Sequence, residues 1–120
     1  MAKIELILIG DPISTQTVYK IATKGHFARM YMSQRGRDRK EDYFYQTKQQ
    51  YKGKPIEKEI DLTVKLYFGT KRRVDIDNFN KLLFDSLNGL IWKDDSQIQS
   101  MVITKEYDKK NPRIELIIDY

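Results

Sequence analysis

Apolar and polar residues alternate along much of this chain, and the alternation marks strands. The cleanest stretch is 59–68: Ile60, Leu62, Val64, Leu66 and Phe68 fall on one side, Asp61, Thr63, Lys65 and Tyr67 on the other. Ile98–Tyr107 and Arg113–Ile118 alternate in the same way, joined by the turn Asp108-Lys109-Lys110-Asn111-Pro112. Lys3–Ile9 starts with alternation, becomes continuously apolar and stops at Gly10-Asp11-Pro12. Two short β-prone runs, Val18–Ala22 and Phe27–Met32, flank Thr23-Lys24-Gly25-His26, a hairpin turn with Gly25 where φ must be positive.

Two segments carry helical spacing instead. Ser33–Tyr51 has no proline and one early glycine. It reads as a helix from roughly Asp38, with Phe44 and Tyr51 on or near one face, ended by Gly53 and Pro55. Asp77 to about Leu90 is the second helix, with Phe79, Leu82, Leu83, Leu87 and Leu90 as its apolar stripe. The expected order is β-ββ-α-β-α-β-β, an α+β fold with two main helices packed on a small mixed sheet. The 120 residues fit a single domain, 1–120, that buries a real core.

Composition narrows the chemistry. There is no cysteine, which removes disulfides, thiolate zinc sites and a cysteine nucleophile. No apolar run approaches the ~20 residues that span a bilayer, and the first residues do not resemble a signal peptide. A soluble, cytoplasmic protein is expected, with no membrane partner and no nucleotide cofactor.

The net charge of +5 is unevenly placed. Between Thr17 and Lys54 lie ten Lys or Arg, among them Lys20, Lys24, Arg29, Arg35 and Arg37, against three acids. Five of the eight tyrosines share that stretch. Cations interleaved with aromatics suit a phosphate backbone and exposed bases, so these five are candidate DNA contacts. A solvated basic face with half-buried tyrosines produces the same pattern.

Against this basic background stand two acidic clusters, Asp75/Asp77 and Asp94/Asp95, at either end of the second helix. In extended chain, Asp75 and Asp77 point to the same side; Asp77 can also cap the helix that follows. Asp77, Lys81, Asp85 and Asn88 follow three-to-four spacing and form one polar stripe. Hard oxygen donors without cysteine suit Mg²⁺ or Mn²⁺ rather than Zn²⁺. Such an ion can bridge a phosphodiester oxygen and activate a water, with Lys81 neutralising charge on the phosphate. On spacing alone, a cap, a turn and an ordinary Lys81/Asp85 pair explain the same residues. A helix of three to four turns is also ~20 Å long, which would hold the clusters apart unless the return loop folds back.

The pattern Asp75-Ile76-Asp77-Asn78-x-x-Lys81-x-x-x-Asp85-x-Leu87-Asn88-Gly89, followed by Trp92-Lys93-Asp94-Asp95-x-x-Ile98, closely resembles the RusA family of Holliday-junction resolvases, small nucleases often carried by phages and prophages. The resemblance is strong over about 72–98. It implies a homodimer that binds four-way or other branched DNA and makes paired symmetric cuts with Mg²⁺, Mn²⁺ being an alternative. It also implies that Asp75, Asp77 and Asp95 hold the metal, with Asp94 as a secondary candidate, and that Lys81 is the essential lysine. Arg72 and Arg73 fall where the family carries basic residues before the motif, and Phe84 matches its aromatic position, where core packing is an equal reading. The resemblance further implies that the loop returns the later aspartate to the first pair.

Asp85 and Asn88 read as scaffold, Trp92 as a packing anchor, and His26, the only histidine, as an exposed turn residue. The alternative function is a non-catalytic branched-DNA-binding module with structural aspartates; a small scaffold protein ranks third.

Overall fold

A computed structural model describes residues 2–120. A four-stranded mixed sheet forms from β1 (Lys3–Ile9), β4 (Ile60–Phe68), β5 (Ile98–Tyr107) and β6 (Arg113–Asp119), in the order β1-β6-β4-β5. A separate hairpin is built from β2 (Tyr19–Lys24) and β3 (Phe27–Met32). The helices are α1 (Thr15–Val18), α2 (Gln34–Gln50) and α3 (Asn80–Leu87). Short 3₁₀ turns at Ile76–Phe79 and Asp95–Gln97 flank α3 and its return loop. The α+β class, the mixed sheet and the two main helices agree with the sequence reading; the single-turn α1 is an addition to it.

The alternation along β4 becomes burial. Its five apolar residues on the inner face are buried and the intervening four are half-buried. Register extends this across the sheet. Leu6, Leu116 and Val64 form one buried row, and Leu8, Ile114 and Leu66 the next. Phe79, Leu82, Leu83 and Leu87 close the core from the helical side, as their spacing predicts. The opposite sheet face stays partly open, with Ile9 67% exposed. There Arg113 lies 3.8 Å over the Tyr67 ring and pairs with Asp108 and Glu115 at 2.8 and 2.7 Å.

Helix α2 starts four residues earlier than the sequence suggests. Ser33 Oγ accepts the Gly36 N–H and caps it. Gly36 is required at this point, since a Cβ would stand 2.5 Å from Val18 Cγ1 on α1. The buried face of α2 is Gly36, Tyr43 and Thr47, with Tyr51 half-buried beyond its end; Phe44 turns outward. Arg39, one turn before Tyr43, donates to the Asp11 carbonyl in the loop after β1 and ties this side of the helix to the body. Two glutamines on α2 meet the β1 edge. Gln50 exchanges hydrogen bonds with the Ile7 N–H and C=O at 2.8 and 2.7 Å, and Gln46 does the same for Ile9 at 2.7 and 3.0 Å.

The β2–β3 turn is two residues long, with Gly25 at φ 61° and no other positive φ there, the pattern of a type II′ hairpin. His26 is exposed in this turn. Among the described residues no helix is long and apolar enough to cross a membrane.

Leu66 is fully buried at the sheet centre, so Leu66→Ala is expected to lower unfolding free energy by about 2–5 kcal/mol. Ile9→Ala on the open face is expected to stay within about 0.5 kcal/mol. Urea unfolding curves of the two variants check the assignment of faces.

Candidate active site

The two acidic clusters sit on the crossover between the parallel strands β4 and β5. Parallel pairing demands a crossover, and here it runs from 69 to 97 with only a short helix in it. The 3₁₀ turn and α3 replace the expected single helix from Asp77 to Leu90. The eight residues of α3 span only ~12 Å. Gly89, at φ 83°, then reverses the chain.

Asp77 does not cap a helix: it lies inside the 3₁₀ turn, whose leading residue Asp75 makes no side-chain cap bond. Both carboxylates are exposed. The turn is held from outside, because Thr15 Oγ1 donates to the Asn78 carbonyl at 2.6 Å. Asp11 fixes the approach to it. Its carboxylate accepts the Gly69 N–H at 3.0 Å and pairs with Arg72 at 3.3 Å.

The return loop is anchored by Trp92, which is fully buried. Its indole N–H donates to Asn88 Oδ1 at 2.6 Å, and the Asn88 amide donates to Asp95 Oδ2 at 3.3 Å. Asn88 thus links the buried anchor to the acidic loop, which the scaffold reading of this residue understated. Asp94 spends its side chain on structure. It accepts the Ser96 N–H at 3.0 Å and forms a capping box with Gln97, and the hydrogen bonds at Ser96 hold its carboxyl below the usual range. Gln97 also donates to the Ile56 and Lys58 carbonyls, stitching the loop to the chain before β4. The Asp94-x-x-Gln97 spacing carries this information in the sequence; the Asn88 bridge has no comparable signal.

These supports leave a cleft of about 390 Å³ lined by Asp77, Asn80, Lys81, Phe84, Asp85 and Asp95, with Thr15 and Asn78 at its margin. Asp75 is outside this lining, and among the described residues no three of His, Cys, Asp or Glu are grouped closely enough to share an ion. One further oxygen was missed by the sequence reading: Asn80 Oδ1 is buried with no hydrogen-bond partner among the described residues. Lys81 pairs with Asp85 at 3.6 Å and lies 4.8 Å over the Tyr19 ring. Tyr19 donates its hydroxyl to Asp85, and burial, followed by this contact, pushes its pKa well above the ordinary value.

The remaining expected contacts lie around the cleft. Phe84 is half-buried, edge-on to Trp92 at 6.2 Å, and still borders the cleft, so packing and exposure coexist. Arg72 is engaged by Asp11, the Pro12 carbonyl and the Phe68 ring. Arg73 borders a separate groove of about 510 Å³ with Lys71, Lys105 and Tyr107. Arg35 and Arg37 are exposed on the first turn of α2, and Lys20, Lys24 and Arg29 are exposed on the hairpin.

Residues 10–119 match the family model described as "Endodeoxyribonuclease RusA". The chain belongs to the RusA endodeoxyribonuclease family. A 44-residue segment is also 46% identical to "Uncharacterized protein YqaN" of Bacillus subtilis (strain 168), covering 37% of this chain and 30% of that protein.

The Tyr19–Asp85 contact has a pH signature. The folded chain holds the Tyr19 proton more tightly than the unfolded one, whose value is near 10.0. The contribution to stability is therefore complete below about pH 10 and is lost as pH rises toward the folded value. Asp85→Asn is expected to shrink this alkaline loss without abolishing it, because burial remains. Phenolate absorbance, read as a difference against Tyr19→Phe, measures the titration directly.

Proposed function

We propose that this chain is a Mg²⁺-dependent endonuclease that resolves four-way DNA junctions by paired symmetric cuts, acting as a homodimer. The observation that carries the reading is one cleft bordered by Asp77, Asp95 and Lys81, in a chain of the RusA family. The donor set fits a hard cation. Two carboxylates and the unpartnered Asn80 Oδ1 are all oxygen, and Mg²⁺ characteristically takes one or two carboxylates and keeps several waters. Asp77 and Asp95 would hold it, with Asp75 as the third ligand proposed from the family motif. Asp94, committed to its cap, is assigned to the scaffold.

A divalent ion there supplies Lewis-acid polarisation of the scissile phosphodiester and activation of a water. The chain's own groups do the rest. The Lys81 ammonium, steadied by Asp85 and the Tyr19 ring, brings positive charge to the phosphate oxygens as negative charge builds on them. Asn88 holds the Asp95 carboxylate toward the cleft. Arg73 and Lys71 offer charge to phosphates beside the cut.

A second reading, a branched-DNA-binding module without catalysis, draws on the fact that no three acids are grouped among the described residues. One experiment separates the two: end-labelled four-way junction, duplex and single strand, each incubated with and without Mg²⁺. The proposal expects symmetric junction cuts that require the ion and leave duplex and single strand intact. Junction binding with no cut at any Mg²⁺ concentration would establish the second reading instead. Asp75→Asn, Asp77→Asn, Asp95→Asn and Lys81→Ala are each expected to lower cleavage at least about 100-fold while junction binding persists. Asn88→Ala is expected to raise the Mg²⁺ concentration needed by about 10–100-fold. Asp94→Asn, which preserves an N-cap, is expected to cut like the parent chain; a loss equal to that of Asp95→Asn would return Asp94 to the metal site.

A further inference from the structure

We propose that one face of the β2–β3 hairpin is a stacking arm for unpaired bases at a DNA branch point, with Phe27 and Tyr31 as the stacking rings. The inference rests on the DNA-processing reading above and deepens it by assigning a base-binding element outside the cleft.

The register carries the argument. Directly opposed residues of antiparallel strands point to the same side. The pairs Lys20↔Tyr31, Ala22↔Arg29 and Lys24↔Phe27 therefore share one face. That face holds three cations and two aromatic rings and no acid. The pairs Tyr19↔Met32 and Ile21↔Met30 share the other face, which carries no charge. At its base this second face packs on the body, since Tyr19 and Met32 are half-buried against the core. The charged face is left to solvent.

Its residues have no internal use. Every residue from 20 to 31 is exposed, and Phe27, beside the turn, is 82% exposed, more than any other large apolar side chain among the described residues. Lys20, Lys24 and Arg29 make no ion pair among the described residues. No Asp or Glu occurs between Asp11 and Asp38, so nothing nearby in the chain neutralises them. A phenylalanine ring in water is unfavourable, and a base offers it a flat π-surface while the flanking phosphates meet the lysines and Arg29. Phe27 and Tyr31 are four residues apart on one strand, about 13 Å, with Arg29 between them. Two rings at that spacing engage two separate bases rather than sandwich one.

Duplex DNA keeps its bases stacked and presents no such surface, so the arm discriminates branch points that carry unpaired bases from unbroken duplex. The arm also joins the cleft through its first residue, since Tyr19 donates to Asp85, the partner of Lys81.

The test uses a three-way DNA junction with two unpaired nucleotides and 2-aminopurine at the branch, and a matched duplex, both in EDTA so that no strand is cut. Binding of the parent chain is expected to quench the branch-point fluorescence. Phe27→Ala and Tyr31→Ala are each expected to abolish most of that quench and weaken junction binding about tenfold, with duplex affinity changed less than twofold. Phe27→Leu, which keeps the apolar bulk and removes the ring, is expected to behave like Phe27→Ala. Lys24→Ala is expected to reduce the slope of log affinity against log salt by about 1 on both DNAs. Because the rings are exposed, thermal unfolding midpoints should match the parent. A saturated complex of the Phe27→Ala/Tyr31→Ala double variant that quenches like the parent overturns the proposal. Equal losses of junction and duplex affinity overturn it as well. Quenching by a parent chain that cuts no junction in Mg²⁺ supports the arm while removing the catalytic reading. Cleavage without any quench overturns the arm alone.

Discussion

The parallel pairing of β4 with β5 is the constraint from which the candidate site follows. Two parallel neighbours cannot be joined by a tight turn, so the chain must leave one end of the sheet, cross its face and re-enter at the other end. The residues that make this crossing, 69–97, include every proposed ligand and Lys81. Most of their apolar side chains cover the inner face of the sheet, with Phe79, Leu82, Leu83, Leu87, Ile91 and Trp92 buried. What is left on the outer side of the crossover is polar, and the cleft is formed from that remainder. Core packing and candidate chemistry are two faces of one segment.

The segment is irregular, so side chains from elsewhere hold it in place. Asp11 fixes its beginning, Thr15 its first turn, Asn88 and Trp92 its reversal, and Gln97 its end. Several of these bonds span a large separation in sequence, with the Thr15–Asn78 pair 63 residues apart.

This explains what could be read from residues alone. Strands with one buried face announce themselves by alternation, and β4, β5 and β6 fall close to their expected bounds. The hairpin turn was legible because positive φ favours glycine at Gly25. The start of α2 was not, since its cap Ser33 precedes a run of charged residues that carries no apolar period. The length of α3 was overestimated because the apolar stripe continues through the 3₁₀ turn and the reversal. Leu90 and Ile91 pack beside the helix without belonging to it. At the site, the acidic positions were visible as a motif. Their supports were not, because Asn88 and Thr15 act through contacts that only the folded chain creates. Asp94 shows the opposite case, in which local spacing with Gln97 already encodes a structural duty.

The glutamine bonds from α2 to β1 have a consequence for how the sheet meets other molecules. A sheet with two open edges can add strands at both and grow without limit; one with a single open edge cannot. Gln46 and Gln50 occupy the outward backbone groups of Ile7 and Ile9, while the outer edge of β5 carries no strand. Two helix side chains thus cap part of the β1 edge against strand addition and leave the β5 edge as the side of this sheet open to another strand.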